Sequence, residues 1–284
     1  HTQRRRQRQM CIRDRSIGAD IVEVTGENRV LAFYGMRVIN QSPRAGLRAL
    51  IEKSRKTGEL SISDVVFGIA PRINAAGRIE HGRLAVEILI EQDFEKAKVL
   101  AEAIEVHNTE RKELDQNITK EALLMIDANK KSTVVYSPDW HKGVVGIVAS
   151  RLIEKHYKPT IVLSEKDDEL TGSARSVKGF DLYDALLKCE HLLEKFGGHK
   201  YAAGLTIKKK NLEAFIFEFE KVVSSSITKE QQISEIEVDL EVDIDDINPK
   251  LYRIIKQFSP FGPKNRTPNF VTRNVTDSGR GRLV

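Results

Sequence analysis

Apolar positions recur every three to four residues in some stretches of this chain and every second residue in others, which separates helices from strands. Ile17 to Val24 is short and β-like, with Asp20 ahead of Ile21 and Val22. Gly26-Glu27-Asn28-Arg29 reads as a turn and helix start, and apolar positions run on to Ile39. Ser42-Pro43-Arg44 opens a second helix, with Leu47, Leu50 and Ile51 on one face. From Leu84 to about Ala128 the spacing is helical almost throughout. Charged residues dominate between Glu102 and Glu121, with Ala103, Val106 and Leu114 as sparse apolar positions. That pattern predicts a mostly solvated helix joining two domains. Its heptads are too ragged for a coiled coil.

A second domain opens at about Ser132. Thr133 to Ser137 predicts a strand, Val144 to His156 a helix and Pro159 to Ser164 a strand, a βαβ unit with a parallel pair. Leu170 to Val177 predicts another strand. Leu182, Leu186, Cys189, Leu193 and Phe196 keep helical spacing, and Gly197-Gly198 then stops the helix. Leu212 to Val223 predicts a closing helix. In residues 235–246, Ile236, Val238, Leu240, Val242 and Ile244 alternate with acids, as in a strand with one polar face.

Charge changes this picture at the two ends. The net charge is +5, but residues 1–15 hold six Arg and one Asp, so the rest of the chain balances 40 bases against 40 acids. The basic start has neither helical nor strand patterning. It reads as a non-native, disordered leader, with a nucleic-acid-binding arm as the alternative. Nucleic-acid binding by the remainder must then come from local patches. Residues 249–284 carry eight bases and one acid, with Phe258-Ser259-Pro260-Phe261-Gly262-Pro263 among them. Bases with interspersed Phe suit a small barrel that grips a single strand by stacking and charge. Cys11 and Cys189 suggest neither a disulfide framework nor a zinc site. No run is apolar for a membrane-spanning length, and no signal core follows the basic start, so a cytoplasmic protein with no membrane contact is expected.

Candidate chemistry gathers in a few stretches. Phe67 to Arg78 places Arg72, Asn74 and Arg78 among small residues that allow close approach to an anion. Asp139-Trp140-His141-Lys142-Gly143 lies between a strand end and a helix start, where open α/β sheets bind ligands and anions are favoured. Arg151 lies two turns into that helix. Ser173 and Arg175 are two apart on a strand, so both face one way as a phosphate clamp. Gly197-Gly198-His199-Lys200 joins free backbone, imidazole and ammonium, which suits phosphate. Each motif also has a plain structural reading, as a cap, a turn or a solvated face.

In order, Pro-Arg-Ile-Asn-Ala-Ala-Gly-Arg (71–78), Trp-His-Lys-Gly-Val-Val-Gly-Ile-Val-Ala-Ser-Arg-Leu (140–152), Ser-Ala-Arg (173–175), Gly-Gly-His-Lys-Tyr-Ala-Ala-Gly (197–204) and Pro-Phe-Gly (260–262) resemble the RecJ family of the DHH phosphoesterase superfamily. The resemblance covers roughly residues 16–284. It implies an α/β fold: the C-terminal end of a DHH domain (16–90), a connecting helix (91–130), a DHHA1 domain (131–230) and a partial OB-fold (231–284), with the leader at 1–15. It implies a single-strand-specific 5′→3′ exonuclease of DNA repair and recombination, using two Mn2+ or Mg2+ ions in a cleft that admits one strand. It also implies a monomer whose partners are single-stranded DNA, a single-strand-binding protein and a RecQ-type helicase. By the same resemblance Asp20 is a metal-binding catalytic aspartate. Arg78, Ser173 and Arg175 hold a DNA 5′-phosphate, Arg151 assists, and His141 and His199 line the cleft. The chain has no Asp-His-His triplet, and the acid pairs Asp167-Asp168 and Asp245-Asp246 stand outside that context. The expectation is an inactive fragment. The alternatives are a non-catalytic single-strand-binding module and a phosphodiesterase for small oligonucleotides.

Overall fold

The computed structural model describes residues 22–79, 82–276 and 279. Asp20 and the basic start lie outside them. The chain divides into two compact units, residues 1–106 with 236–284, and residues 107–235.

The first unit is built on α1 (Gly26–Gln41), α2 (Ala45–Ser54), α3 (Ala70–Ile79), α4 (Arg83–Ile90) and the first part of α5 (Phe94–Leu124). Leu47 and Leu50 from α2 meet Ile69, Ile88 and Ile104 in one core. Gly46 brings α2 against α4: a methyl built there would lie 1.7 Å from the Ile88 carbonyl oxygen. The stretch from Phe67 to Arg78 is helical. A π-helical turn, Val65–Ile69, feeds directly into α3, and Ala75 and Ala76 are buried. The small residues serve helix packing there. Residues 84–128 form two helices rather than one. Glu91 Oε1 accepts from the backbone of Gln92 and Asp93, and Asp93 Oδ1 caps Lys96 N at 2.9 Å, so α5 starts afresh. Residues 22–24 of the predicted first strand are not extended-paired; Val24 N instead donates to Pro263 O at 2.8 Å.

The C-terminal segment belongs to this unit. Its β6 (Leu240–Glu241) pairs in parallel with β7 (Phe270–Val271), and α9 (Pro249–Lys256), capped by Asn248, lies between them in sequence. The strand predicted for 235–246 forms only over two residues. Ile236 is 83% exposed and Ile244 63%, so little packing holds the alternation flat. The Pro-Phe-Gly loop closes on itself through Asn265 Nδ2, which donates to Phe258 O and Pro260 O. It is tied to the start of the described chain by Arg29 Nη2 to Phe258 O at 2.9 Å.

The second unit takes the end of α5 and a five-stranded sheet: β1 (Thr133–Ser137), β2 (Thr160–Lys166), β3 (Glu169–Arg175), β4 (Leu193–His199) and β5 (Ala202–Lys208), in the order β1-β2-β3-β5-β4. The β1–β2 pair is parallel, joined through α6 (Val145–Lys155), and the other pairs are antiparallel. One sheet face packs on α7 (Leu182–Lys188) and α8 (Leu212–Ser226) through Leu163, Leu205, Phe215 and Phe219. The other takes α6 and α5 through Val135, Val162, Val148 and Ile118.

A correction falls on the stretch before Gly-Gly-His. The helix ends at Lys188, a single 3-10 turn follows, and Leu193 to His199 is an edge strand. Leu193 and Phe196 keep helical spacing only by coincidence, because their partners are on β5. The register shifts between Leu193 and Lys195, which re-aims the strand. Gly197 and Gly198 therefore lie in a ladder, not in a loop.

Candidate functional site

Residues opposite each other in a ladder point to the same side of a sheet. Ser173 pairs with Gly204, which pairs with Gly197; Arg175 pairs with Ala202, which pairs with His199. Two adjacent rows on one face of β3, β5 and β4 therefore read Ser–Gly–Gly and Arg–Ala–His. The opposite face of the same strands is core. On this face Gly197, Gly204 and His199 are exposed. A methyl built on Gly197 meets nothing within 4 Å, and one on Gly204 meets only Gly172 O, at 3.9 Å. Neither glycine is demanded by the protein's own packing. Together they leave a bare strip of backbone with a guanidinium and a hydroxyl at one end and an imidazole at the other.

Gly198 is different. Its φ is +150°, and a methyl there would lie 2.3 Å from Ala202 O, so the hairpin itself requires glycine. Since β4 is at the sheet edge, its outward N–H and C=O groups face away from β5, which is where the backbone donors expected of a loop are found.

The Ser173–Arg175 pair is prearranged. Arg175 Nη1 donates to Ser173 Oγ at 2.7 Å and to Ala174 O at 2.9 Å. The amino end of α6 abuts it. A methyl on Gly146 would stand 3.0 Å from Arg175 Nη2 and 3.1 Å from Ser173 Oγ. Gly146 thus lets the helix terminus reach the pair, and an anion there would meet a guanidinium, a hydroxyl and a helix dipole. Sequence reasoning missed this glycine. Its signal was present as the second glycine of Gly143-Val-Val-Gly146.

Both candidate histidines are oriented by backbone. His141 Nδ1 accepts from Gly143 N at 3.1 Å, and His199 Nδ1 accepts from Tyr201 N at 3.3 Å. An Nδ1 acting as acceptor puts the ring proton on Nε2, so each neutral ring offers an Nε2–H donor.

The other predicted residues lie elsewhere. Asn74 and Arg78, one helical turn apart, share the exposed side of α3 in the first unit. Arg72 is on the same helix, with its guanidinium turned inward. It forms a bidentate pair with Glu105, at 2.6 and 3.1 Å, and donates to Gly68 O and Lys53 O. Those contacts occupy its fork in tying α3 to α5. Arg151 Nη2 is 2.7 Å from the carboxylate of Asp115, a fully buried residue of α5. Burial pushes the Asp115 carboxyl above the usual carboxylate range, with Arg151 and Arg111 pulling it back. Cys189 is buried, which pushes its thiol up to about 12 and leaves it inert.

No group of three or more His, Cys, Asp or Glu able to hold a metal occurs among the described residues. The sequence does hold an Asp-x-Asp spacing, Asp243-Ile244-Asp245, on an exposed 3-10 turn of the C-terminal segment.

Comparison with known proteins gives this geometry a context. The DHHA1 domain model matches residues 129–225, the whole of the sheet with α6, and the RecJ OB domain model matches residues 238–282. The single-stranded-DNA-specific exonuclease RecJ of Bacillus subtilis (strain 168) is 36% identical over 263 residues, 90% of this chain and 34% of that protein. The chain belongs to the RecJ family. RecJ of Escherichia coli (strain K12) is 32% identical over 89% of this chain and 46% of its own length. The crystal structure of RecJ in complex with Mn2+ from Thermus thermophilus superposes with a TM-score of 0.86, at 29% identity, over 94% of this chain and 40% of that one. A structure of exonuclease RecJ bound to manganese gives 0.69 at 30% identity over 80% of this chain and 58% of that one. The chain spans about a third to a half of the length of the curated RecJ relatives. In RecJ terms the bare strip lies wholly within the DHHA1 domain. No described helix is long and apolar enough to cross a membrane.

Proposed function

We propose that this chain holds the 5′-phosphorylated end of single-stranded DNA, as the end-binding part of a metal-dependent 5′→3′ exonuclease. The observation that carries the reading is the strip made by Ser173, Gly204 and Gly197 beside Arg175, Ala202 and His199, with the amino end of α6 against it. A strand backbone needs a surface it can approach closely, and donors that meet phosphate oxygens. The glycines supply the first; Arg175, Ser173 and the Nε2–H of His199 supply the second. A terminal phosphate carries more charge than an internal diester, so a guanidinium at the end of the strip favours an end. His141 before α6 is proposed as a further contact of this unit, and Asn74 and Arg78 on α3 as contacts that the first unit makes on its own account.

Two Mn2+ or Mg2+ ions are the cofactors this reading implies. The described residues do not fit them, because they bring together no set of carboxylate and imidazole ligands, and Asp20 lies outside them. No hydrolytic step is therefore assigned to these side chains; their part is to bind and orient.

The test is fluorescence anisotropy with a labelled single-stranded 12-mer carrying either a 5′-phosphate or a 5′-hydroxyl. The expected result is tighter binding of the phosphorylated strand by roughly tenfold, the value of one charge-assisted contact. Equal affinity for the two would refute end recognition and leave a general single-strand-binding module.

A further inference from the structure

Arg151 sits close in sequence to the site but is held elsewhere. Its Nη2 is 2.7 Å from Asp115, and Arg111 Nη1 approaches the same carboxylate at 3.9 Å. Asp115 has no exposure at all, while the Arg111 side chain is 11% exposed. Arg111 Nη2 also donates to Asn108 Oδ1 at 3.0 Å. Asp115, Arg111 and Asn108 are all on α5; Arg151 is on α6. The ion pair is therefore a cross-link between the two helices, with its carboxylate buried and the Arg151 side chain 39% exposed. Arg151 carries this link from past the middle of α6, and the amino end of the same helix bears Gly146, where even a methyl would stand only 3.0 Å from Arg175. A helix is stiff, so sliding α6 along its axis at Arg151 moves Gly146 by the same amount. Gly146 has no side chain with which to absorb that motion, and the Ser173–Arg175 pair would be pushed or released.

We propose that Arg151 is a positioning residue, which acts through Asp115 to set how deeply α6 seats against Ser173 and Arg175, and does not itself contact phosphate. This rests on the strip being the phosphate site. Removing Arg151 strands the buried Asp115 charge, whereas replacing both partners removes that cost, so the two substitutions must be non-additive.

The experiment uses the full chain with Arg151→Gln, Arg151→Lys, Asp115→Asn and the Asp115→Asn/Arg151→Gln double variant. Anisotropy with the 5′-phosphorylated strand is measured across a salt series. In parallel, ligand-free emission of Trp140 is recorded. Trp140 is the single tryptophan, is 4% exposed, and donates from Nε1 to Glu121 of α5 at 2.8 Å, so it reports the α5–α6 contact. The expected outcome for Arg151→Gln is a red shift and a loss of affinity of roughly tenfold, within the usual range for coupled sites. The salt slope stays unchanged, since no phosphate contact is removed. Asp115→Asn should weaken binding too, the double variant should be no worse than either single, and Arg151→Lys should restore both emission and affinity. Tighter binding by Asp115→Asn would overturn the proposal, since it would mean that a released Arg151 grips DNA. So would an unshifted emission with a reduced salt slope in Arg151→Gln. If the parent chain shows no 5′-phosphate preference, the phosphate site fails instead; the emission shifts and their non-additivity still decide whether Arg151 and Asp115 cross-link the helices.

Discussion

In the proposed reading, end recognition turns on Arg175. Its guanidinium is already fixed by Ser173 Oγ and the amino end of α6, so little reorganisation precedes contact. Arg175→Ala should weaken binding of 5′-phosphorylated single strands by roughly tenfold or more, at about 1.4 kcal/mol per decade. Binding of the 5′-hydroxyl strand should change much less in the same anisotropy assay. Lys208→Ala, an exposed position paired loosely with Glu194 at 3.5 Å, should affect both strands alike and weakly. Equal losses on the two strands for Arg175→Ala would reduce it to a general backbone contact.

A different residue contributes to acid sensitivity. Asp64 closes a capping box with Ser61 and pairs with Lys56 at 2.8 Å. Hydrogen bonds from Lys56 and Ser61 hold its carboxyl down at about 2 from 3.8. A carboxylate whose folded value is depressed stabilises the fold above its unfolded value, and loses that contribution as pH falls from 3.8 to about 2. Asp64→Asn should cost about 1 kcal/mol at pH 7, solvent screening of a partly exposed pair allowed for. The gap between parent and variant in urea melts should close toward pH 2. A constant gap across that range would show the box to matter through its neutral hydrogen bonds alone.

Among elements, β4 and β5 make the sharpest distinction, because their glycines have opposite reasons to exist. Gly197→Val and Gly204→Val meet open space and raise strand propensity, so melting temperature should hold or rise while strand binding is lost. Gly198→Ala should instead destabilise the unit by roughly 1–3 kcal/mol, the cost of forcing a residue into such backbone. Thermal melts with parallel anisotropy separate the two classes. If valine at 197 and 204 leaves binding intact, the strip is not the contact surface.

The same two strands show what the sequence could and could not say. The βαβ unit at Thr133 to Ser164 was legible because β-branched runs flank an amphipathic helix, and β1, α6 and β2 stand there within a few residues. The Gly-Gly-His motif was legible as a motif but misplaced as structure. Leu193 and Phe196, three apart, fit a helical period, and only the register shift between Leu193 and Lys195 brings both onto one face of the strand beside β5. Arg72 read as an anion ligand because its partner Glu105 is 33 residues away, beyond any local pattern. Gly146 was overlooked for the converse reason: what it makes room for lies on another strand.

At the scale of the whole molecule, the net charge of +5 lies in residues 1–15, and the chain beyond them offers no bulk attraction, since 40 bases balance 40 acids there. In the proposed reading, the affinity of that part for single-stranded DNA rests on a few contacts, with a correspondingly shallow salt dependence. Hydrolysis makes a second whole-chain expectation. With no Asp-His-His triplet in the sequence and no metal-holding cluster among the described residues, the 284-residue chain incubated with Mn2+ should release no mononucleotides from 5′-labelled single strands. Metal-dependent release that disappears with Asp20→Ala would overturn this.

The strip of glycine and alanine has one more consequence, and it is calorimetric. Ordering a long side chain on binding costs up to about 2 kcal/mol of rotamer entropy, and Gly and Ala have none to lose. In the proposed reading, the glycine and alanine surface between Arg175 and His199 therefore has no rotamer entropy to lose on binding. The entropic cost of association falls on the nucleic acid, and shortening or stiffening the strand should improve titration entropy where mutating the protein cannot.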